Sequence, residues 1–383
     1  MTEHALPLAG TRVVEIGHSV AAPYAALILA ELGAEVIKVE RPGHGDDARA
    51  WGPPFIDQMS AVFHALNRLK RSVTLDLKSA DGVAKLKALA RLSDVVIQNQ
   101  KPGLAEALGI GAAALTASSP RLVYASIHAF GKVGPLKDRP GYDPQMQAFG
   151  GLMSVTGHPG QPAVRTGPSI IDMGTGMWVA MGVLTALLRR QETGKGCVVD
   201  TSLYETALGW MAYFLPIWTV SGKVPGKAGS GTVMIAPYQA FPTKDGELII
   251  AAGNDTLFAK LARVMGHPEW ADDARFRTNG FRVENKPALV ALIASGTTGV
   301  ATAEMAARLD AAGVPNAPVH GVDQVAQHPQ TEAVGMLRGD MEGPLRFFGL
   351  PFSLDGLRPG REEPAPPLGG DNEWLERLLA EDS

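Results

Sequence analysis

The stretch 11–40, "TRVVEIGHSVAAPYAALILAELGAEVIKVE", places two runs of β-branched residues on either side of a segment rich in alanine and leucine. "TRVVEIG" (Thr11–Gly17) reads as a short buried strand, because Val and Ile fit a pleated surface that is covered on both sides. "AAPYAALILAELG" reads as a helix that closes at Gly33, and "AEVIKVE" (Ala34–Glu40) as a second strand. This is a β-α-β unit, in which the helical connection lets the two strands lie parallel. The pattern recurs in "RSVTLDL", the helical "SADGVAKLKALARLS", "DVVIQ" and "RLVYASI" (Arg121–Ile127). The expected fold class is α/β, with a Rossmann-like parallel sheet covered by helices on both faces.

Further along, a long apolar helix is expected from Asp172 to about Gln191, and "GKGCVVDTSLYETALGWMAYFLPIWTV" adds a strand and a second apolar helix to the same core. From "SGKVPGKAGSGT" (Ser221–Thr232) glycine, lysine and serine dominate, the texture of a linker or a functional loop. "YQAFPTKDGELIIAAG" then reads as two antiparallel strands around Lys244-Asp245-Gly246, followed by short helices through Asp310. The expected domains are therefore a large α/β unit over 1–220, completed by 325–383, and a linker with a smaller α+β unit over 221–324. The proline-rich "REEPAPPLGG" leads into a last helix, "NEWLERLLA".

The 383 residues carry a formal charge of -4 and no long Lys/Arg run, which argues against nucleic acid as a partner. Cys197 is the single cysteine, so neither an internal disulfide nor a multi-cysteine metal site is expected. "MTEHALPLAG" lacks a basic segment followed by an apolar core, and no uncharged apolar run reaches membrane-spanning length. The expectation is a cytoplasmic protein with no membrane partner.

A parallel sheet invites a search for a phosphate-binding turn, but "EIGHSVAAPYA" offers Gly17 alone and no G-x-G-x-x-G. No P-loop and no G-x-S-x-G elbow is found either, and the nine histidines show no pairing at metal-ligand spacing. Lone histidines such as His18 and His128 are ordinarily hydrogen-bonded loop or core residues. There remains Asp172, in "TGPSIIDMGTGMWVAMGVL", a carboxylate between an isoleucine pair and a methionine-rich apolar run. Asp at a helix start commonly caps the first turn. Gly174 and Gly176, each costing about 1 kcal/mol in a helix relative to alanine, suggest instead that something bulky approaches the carboxylate, or that a neighbouring helix does.

These residues resemble a known family. "LAGTRVVEIGHSVAAPYAALILAELGAEVIKVERPGHGDDAR", "RSVTLDLKSADG", "VVIQNQKPGLAEALGIG", "GYDPQMQAFGGLMSVTG", "TGPSIIDMGTGM", "TGKGCVVDTSLYETAL" and "GVPNAPV" are similar, in order and spacing, to the class III CoA-transferases, the CaiB/BaiF family that includes formyl-CoA transferase. The resemblance implies that Asp172 is the catalytic nucleophile, giving an aspartyl anhydride and then an aspartyl-CoA thioester. It implies coenzyme A and acyl-CoA as substrates with no bound cofactor, family habit pointing to succinyl-CoA as donor and a free carboxylic acid as acceptor. It assigns CoA binding to Arg41, Leu75, Lys78 and Asn99, and a loop that shields the intermediate to Gly229, Ser230 and Gly231. It also implies an interlaced homodimer of ring-shaped subunits.

The chain departs from the formyl-CoA transferase pattern at Val20, where that enzyme has a glutamine, and at Ala107, where an arginine is expected. "QNQ" (Gln98–Gln100) replaces an E-N-F-like triplet, and the loop reads G-S-G. These departures turn the expectation away from formate and oxalate, toward an acid bound near Tyr142, Val20 and His128. Related racemases carry a histidine where this chain has Tyr142, and a phenol with pKa near 10 is a poor base at neutrality. Transfer is therefore expected ahead of α-proton exchange, with His128 as the base in that alternative. A noncatalytic acyl-CoA binding protein is the third reading.

Overall fold

The computed structural model describes residues 6–339 and 343–381, so the first five residues of the N-terminal stretch lie outside it. Met1–Leu152, Arg165–Pro216 and Pro329–Ser383 make one compact unit, and Met153–Val164 with Ile217–His328 make another. The larger unit contains β1 (Arg12–Ile16), α1 (Ala21–Glu31), β2 (Glu35–Glu40), β3 (Lys70–Thr74), α2 (Ala80–Arg91), β4 (Val95–Gln98) and β5 (Val123–His128). It continues with α3 (Asp143–Phe149), α4 (Ile170–Thr193), β6 (Val198–Ser202) and α5 (Leu203–Trp210).

All six strands join one parallel sheet in the order β3-β2-β1-β4-β5-β6. The order reverses between β1 and β4, and at such a point the loops leaving the C-terminal strand ends diverge and open a crevice. Alternation along each strand feeds two cores. Val13, Val36, Val95 and Val123 face α1 and α4, while Val14, Ile37, Val73, Val96 and Tyr124 face α2 and Leu375 of the last helix, Asn372–Glu381. β3 is an edge strand, and residues after the proline-rich segment satisfy it: Ser72 N–H donates to Asp371 Oδ2 at 2.9 Å and Thr74 N–H to Asn372 Oδ1 at 2.8 Å.

α1 buries nearly its whole surface, and its alanines let α4 come close. α4 is, by length and composition, long and apolar enough to cross a membrane, although Asp172 and Arg189 bound its uncharged run; half of its most apolar window is buried in this core. Ser79 caps α2 by accepting the Gly82 N–H, and Ser202 caps α5 by accepting that of Glu205, each a hydrogen bond worth about 1 kcal/mol.

The smaller unit has a three-stranded antiparallel sheet, β7 (Tyr238–Pro242), β8 (Glu247–Ala251) and β9 (Asn316–Pro318), in the order β9-β8-β7. Phe241, Leu248, Ile250, Phe258 and Leu309 fill its core. Arg282 is fully buried there; it donates to the carbonyls of Ala236, Gly253 and Phe276 and pairs with Asp255 Oδ1 at 2.8 Å, which together satisfy a charge that would otherwise be costly to bury.

Candidate active site

Asp172 is the third residue of α4, whose preceding residue Ser169 makes no side-chain cap. The cap comes from another helix. Asp143, the first residue of α3 and only 2% exposed, accepts the Ile171 N–H at 2.8 Å and the Asp172 N–H at 3.2 Å on Oδ2. Its other oxygen accepts Gln147 Nε2 at 2.6 Å, and Gln147 Oε1 in turn accepts the Thr166 N–H at 2.9 Å. Asp143 thus takes two of the orphan donors of the α4 N-terminus, and the Asp172 carboxylate is left out of that capping role. Burial, with the nearby Asp143 charge adding to it, pushes the Asp172 pKa up to about 7. A carboxylate of that basicity is a stronger nucleophile than an ordinary one and still supplies an ionised form near neutrality.

The glycines beside Asp172 serve packing. A Cβ on Gly176 would lie 2.8 Å from Ala21 O and 3.1 Å from Ala25 N of α1, and one on Gly174 would lie 2.9 Å from the Trp210 ring of α5. Protein therefore fills the space that the sequence reading offered to a ligand. The second turn of α4, one turn beyond Asp172, is thus seated directly on the start of α1.

At the C-terminal edge of the sheet, the loop from β1 and the loop from β4 are stitched across the switch point. Asn99 accepts the His18 N–H at 3.0 Å and donates to His18 O at 2.9 Å, while Gln100 Nε2 donates to Ile16 O at 2.7 Å. Asn99 is largely occupied by the chain itself. Burial holds the His18 imidazole below its ordinary pKa, hence neutral at pH 7. Val20, 8% exposed, is the residue before α1 and offers no side-chain cap.

Arg41 follows β2 and is already paired with Asp47 Oδ1 at 2.5 Å, although its side chain is 65% exposed. Leu75, just after β3, is buried in the core facing α2, and its N–H donates to Glu40 O at 3.0 Å; Lys78 is exposed. Arg41, Leu75, Lys78 and Asn99 thus share the same edge of the sheet. Ala107 is exposed on a short helix, Leu104–Ala107, and supplies no charge. Tyr142 is 63% exposed, its N–H bonded to Gln145 Oε1. His128 ends β5 and its Nε2 lies 3.3 Å from Asp200 Oδ1 of β6, with Lys132 Nζ 2.8 Å from the other Asp200 oxygen.

Gly229, Ser230 and Gly231 belong to the smaller unit, where they are fastened down. Gly229, at φ +65°, donates its N–H to Gly157 O; Ser230 Oγ accepts the Ala240 N–H; and Lys286 Nζ holds Thr232 O at 3.0 Å.

Sequence reading missed Asp143 and Gln147, and it missed a buried ionic network beneath the β1 loop. Lys38 Nζ lies 2.7 Å from Glu15 Oε1 and 2.8 Å from Asp46 Oδ2, and Lys70 Nζ lies 2.8 Å from Glu15 Oε2. The Glu15 and Asp46 carboxylates hold Lys38 protonated, while burial lowers the Lys70 pKa to about 8. Charged residues inside otherwise apolar strands, "VVEI" and "VIKVE", were the available signal.

Comparison with known proteins agrees with this architecture. A model of "CoA-transferase family III" matches residues 8–372. The succinate–glutarate CoA-transferase of Agrobacterium fabrum is 36% identical, covering 98% of this chain and 95% of its own length. The acetyl-CoA:oxalate CoA-transferase of Acetobacter aceti is also 36% identical, over 94% and 92% of the two chains. The crystal structure of a CaiB/BaiF family protein from Brucella suis superposes with a TM-score of 0.89 at 38% identity, over 97% of this chain and 99% of that one. The chain is an enzyme of the class III CoA-transferase family.

Proposed function

We propose that this enzyme transfers CoA from an acyl-CoA thioester to a free dicarboxylic acid, with Asp172 as the covalent nucleophile. The observation that carries the proposal is the Asp172 carboxylate itself, freed from capping by Asp143 and raised in basicity to about 7. An Asp172 oxygen attacks the thioester carbonyl and expels CoA thiolate, leaving an aspartyl anhydride. The thiolate then attacks the aspartyl carbonyl and releases the donor acid, leaving an aspartyl-CoA thioester. The acceptor carboxylate attacks that thioester to give a second anhydride, and the thiolate returns to the acceptor's acyl carbon, restoring Asp172. Each step exchanges one activated acyl bond for another, so no ATP is needed.

Arg41, Lys78 and the crevice loops would face the CoA nucleotide, and a cation near its phosphates is favourable. The acceptor class is supported by two relatives whose names specify glutarate and oxalate. Because the oxalate enzyme is as similar as the glutarate enzyme, the Val20 and Ala107 departures do not by themselves remove oxalate from the candidates. Val20, Tyr142 and His128 remain the proposed acceptor contacts, and Gly229, Ser230 and Gly231 the segment that keeps water from the anhydride. We place the enzyme in the cytoplasm as a homodimer.

The test is incubation in heavy water with a panel of acyl-CoA esters and free acids, followed by mass spectrometry of every CoA ester. New thioesters that vanish in Asp172→Ala are expected. Starting esters that gain one deuterium without new thioesters would replace the proposal by proton exchange. Binding of CoA esters without either product would leave a binding protein.

A further inference from the structure

The β1–α1 loop is held from below by a built device that the transfer chemistry does not use directly. Asp46, 3% exposed, accepts the Ser19 N–H at 3.0 Å on Oδ1, accepts the Ala48 N–H on the same oxygen, and pairs its other oxygen with Lys38. Lys38 is fully buried and is itself fixed by Glu15 and by Gly17 O at 3.1 Å. Glu15 is shared with Lys70, which also reaches Pro23 O of α1 at 2.9 Å. Below the same loop, Glu40 is bound by Arg49 through both oxygens and accepts the Asp46 N–H. Three acids and three bases thus interlock between β1, β2, β3 and the 41–50 segment.

In the β1–α1 loop the strain falls on Ser19, whose φ of +67° is a left-handed backbone that a non-glycine residue keeps only when its surroundings hold it. Asp46 on Ser19 N, Asn99 on His18 N and O, and Lys38 on Gly17 O hold that turn, and of these Asp46 alone bonds Ser19 itself among the contacts described. From Ser19 the chain enters α1 through Val20, and Ala21 O and Ala25 N of α1 form the surface on which the Gly176 turn of α4 is seated. Gly176 is one turn beyond Asp172. The loop therefore borders the switch-point crevice on one side and sets the seat of the nucleophile's helix on the other.

We propose that Asp46, locked to Lys38, is a positioning residue: by holding Ser19 left-handed it sets the Gly17–Val20 loop as one wall of the CoA-ester site and fixes the seat of the Gly176 turn, from which the Asp172 turn projects. The inference deepens the transfer reading and rests on it for its catalytic half, whereas its binding half concerns CoA alone.

The full chain is tested as Asp46→Asn, Ser19→Val and the double variant Asp46→Asn/Ser19→Gly, with free CoA as the probe in titration calorimetry and thermal unfolding measured alongside. Asp46→Asn is expected to weaken CoA binding about tenfold or more, the scale of one lost charge-assisted hydrogen bond. Ser19→Val, which forces a β-branched residue into the left-handed region, is expected to do the same. The double variant is expected to return to within about threefold of the parent, because glycine takes that backbone without being held. In turnover with succinyl-CoA and glutarate, KM for the ester should rise with the CoA dissociation constant. A purely structural role would lower the melting temperature and leave KM and CoA affinity of the folded protein unchanged, and that result overturns the proposal, as does failure of Ser19→Gly to rescue. Should Asp46→Asn not fold, a folded Ser19→Val with parental CoA affinity overturns it equally. Parental protein that binds CoA yet forms no new thioester with any acid fails only the transfer reading.

Discussion

Asp172 carries a cost that measurement can expose. Its ordinary pKa of 3.8 applies to the unfolded chain, and the folded value is about 7. The folded state therefore holds a proton that the unfolded chain releases. Stability from that proton is fully present below about 3.8 and is lost as pH rises through 7. Asp172→Asn, which mimics the protonated group, should be more stable than the parent, and its advantage should be larger at pH 8 than at pH 5 by about 2–3 kcal/mol. Urea unfolding at the two pH values reads this directly; an equal advantage at both would mean that the carboxylate titrates normally. Stability sacrificed at one nucleophile is what a site built for reaction shows. Sequence reading found Asp172 but not the reason for its basicity, because Asp143 lies a whole segment earlier in the chain and becomes its neighbour only when α3 meets α4. Asp143 stood in the quoted "GYD", where local pattern gave it no partner.

At the scale of the element, the glycines of α4 show how one sequence feature can point two ways. A glycine near a carboxylate means space, and the sequence does not say what fills it. Gly174 faces side chains, Trp210, which is 40% exposed, and the Thr206 methyl at 3.1 Å; Gly176 faces the backbone of α1, which gives way less readily than a side chain. Gly174→Ala should thus be close to neutral, the strain offset by about 1 kcal/mol of helix propensity. Gly176→Ala should cost about 1–3 kcal/mol and most of the turnover, because the turn beyond Asp172 is pushed off its seat and carries the carboxylate with it. Denaturation and activity of the two variants side by side check this, and equal effects would show that α1 yields as readily as Trp210. The strands β1 to β5 were legible since each is a compact β-branched run between helical segments. β9 was not: three residues bounded by Pro315 and ending in Pro318 carry no alternating pattern, and pairing with β8 alone makes them a strand.

The whole molecule poses the question of what covers its apolar surface. The strand order leaves two edges, and residues 371–372 close the one at β3. At the other edge, β6, the adjacent face of α4 exposes Trp178 (47%), Met181 (52%) and Leu188 (64%), with Val198 beside them at 39%. Large apolar side chains clustered along one helix and an edge strand are a surface that a folded protein seldom leaves to water. A second copy is the occupant we propose, since an isologous pairing brings the same apolar stripe to both sides and satisfies both at once. Light scattering on the eluted protein should give twice the 40.3 kDa chain mass at micromolar concentration. Trp178→Glu combined with Met181→Glu should bring that mass to a single chain, since burying two new carboxylates in the contact is prohibitive without partners. A parent that elutes at one chain mass would refute the pairing while leaving Asp172 and its chemistry untouched, because the cap from Asp143, the seat on α1 and the switch-point crevice all come from one chain.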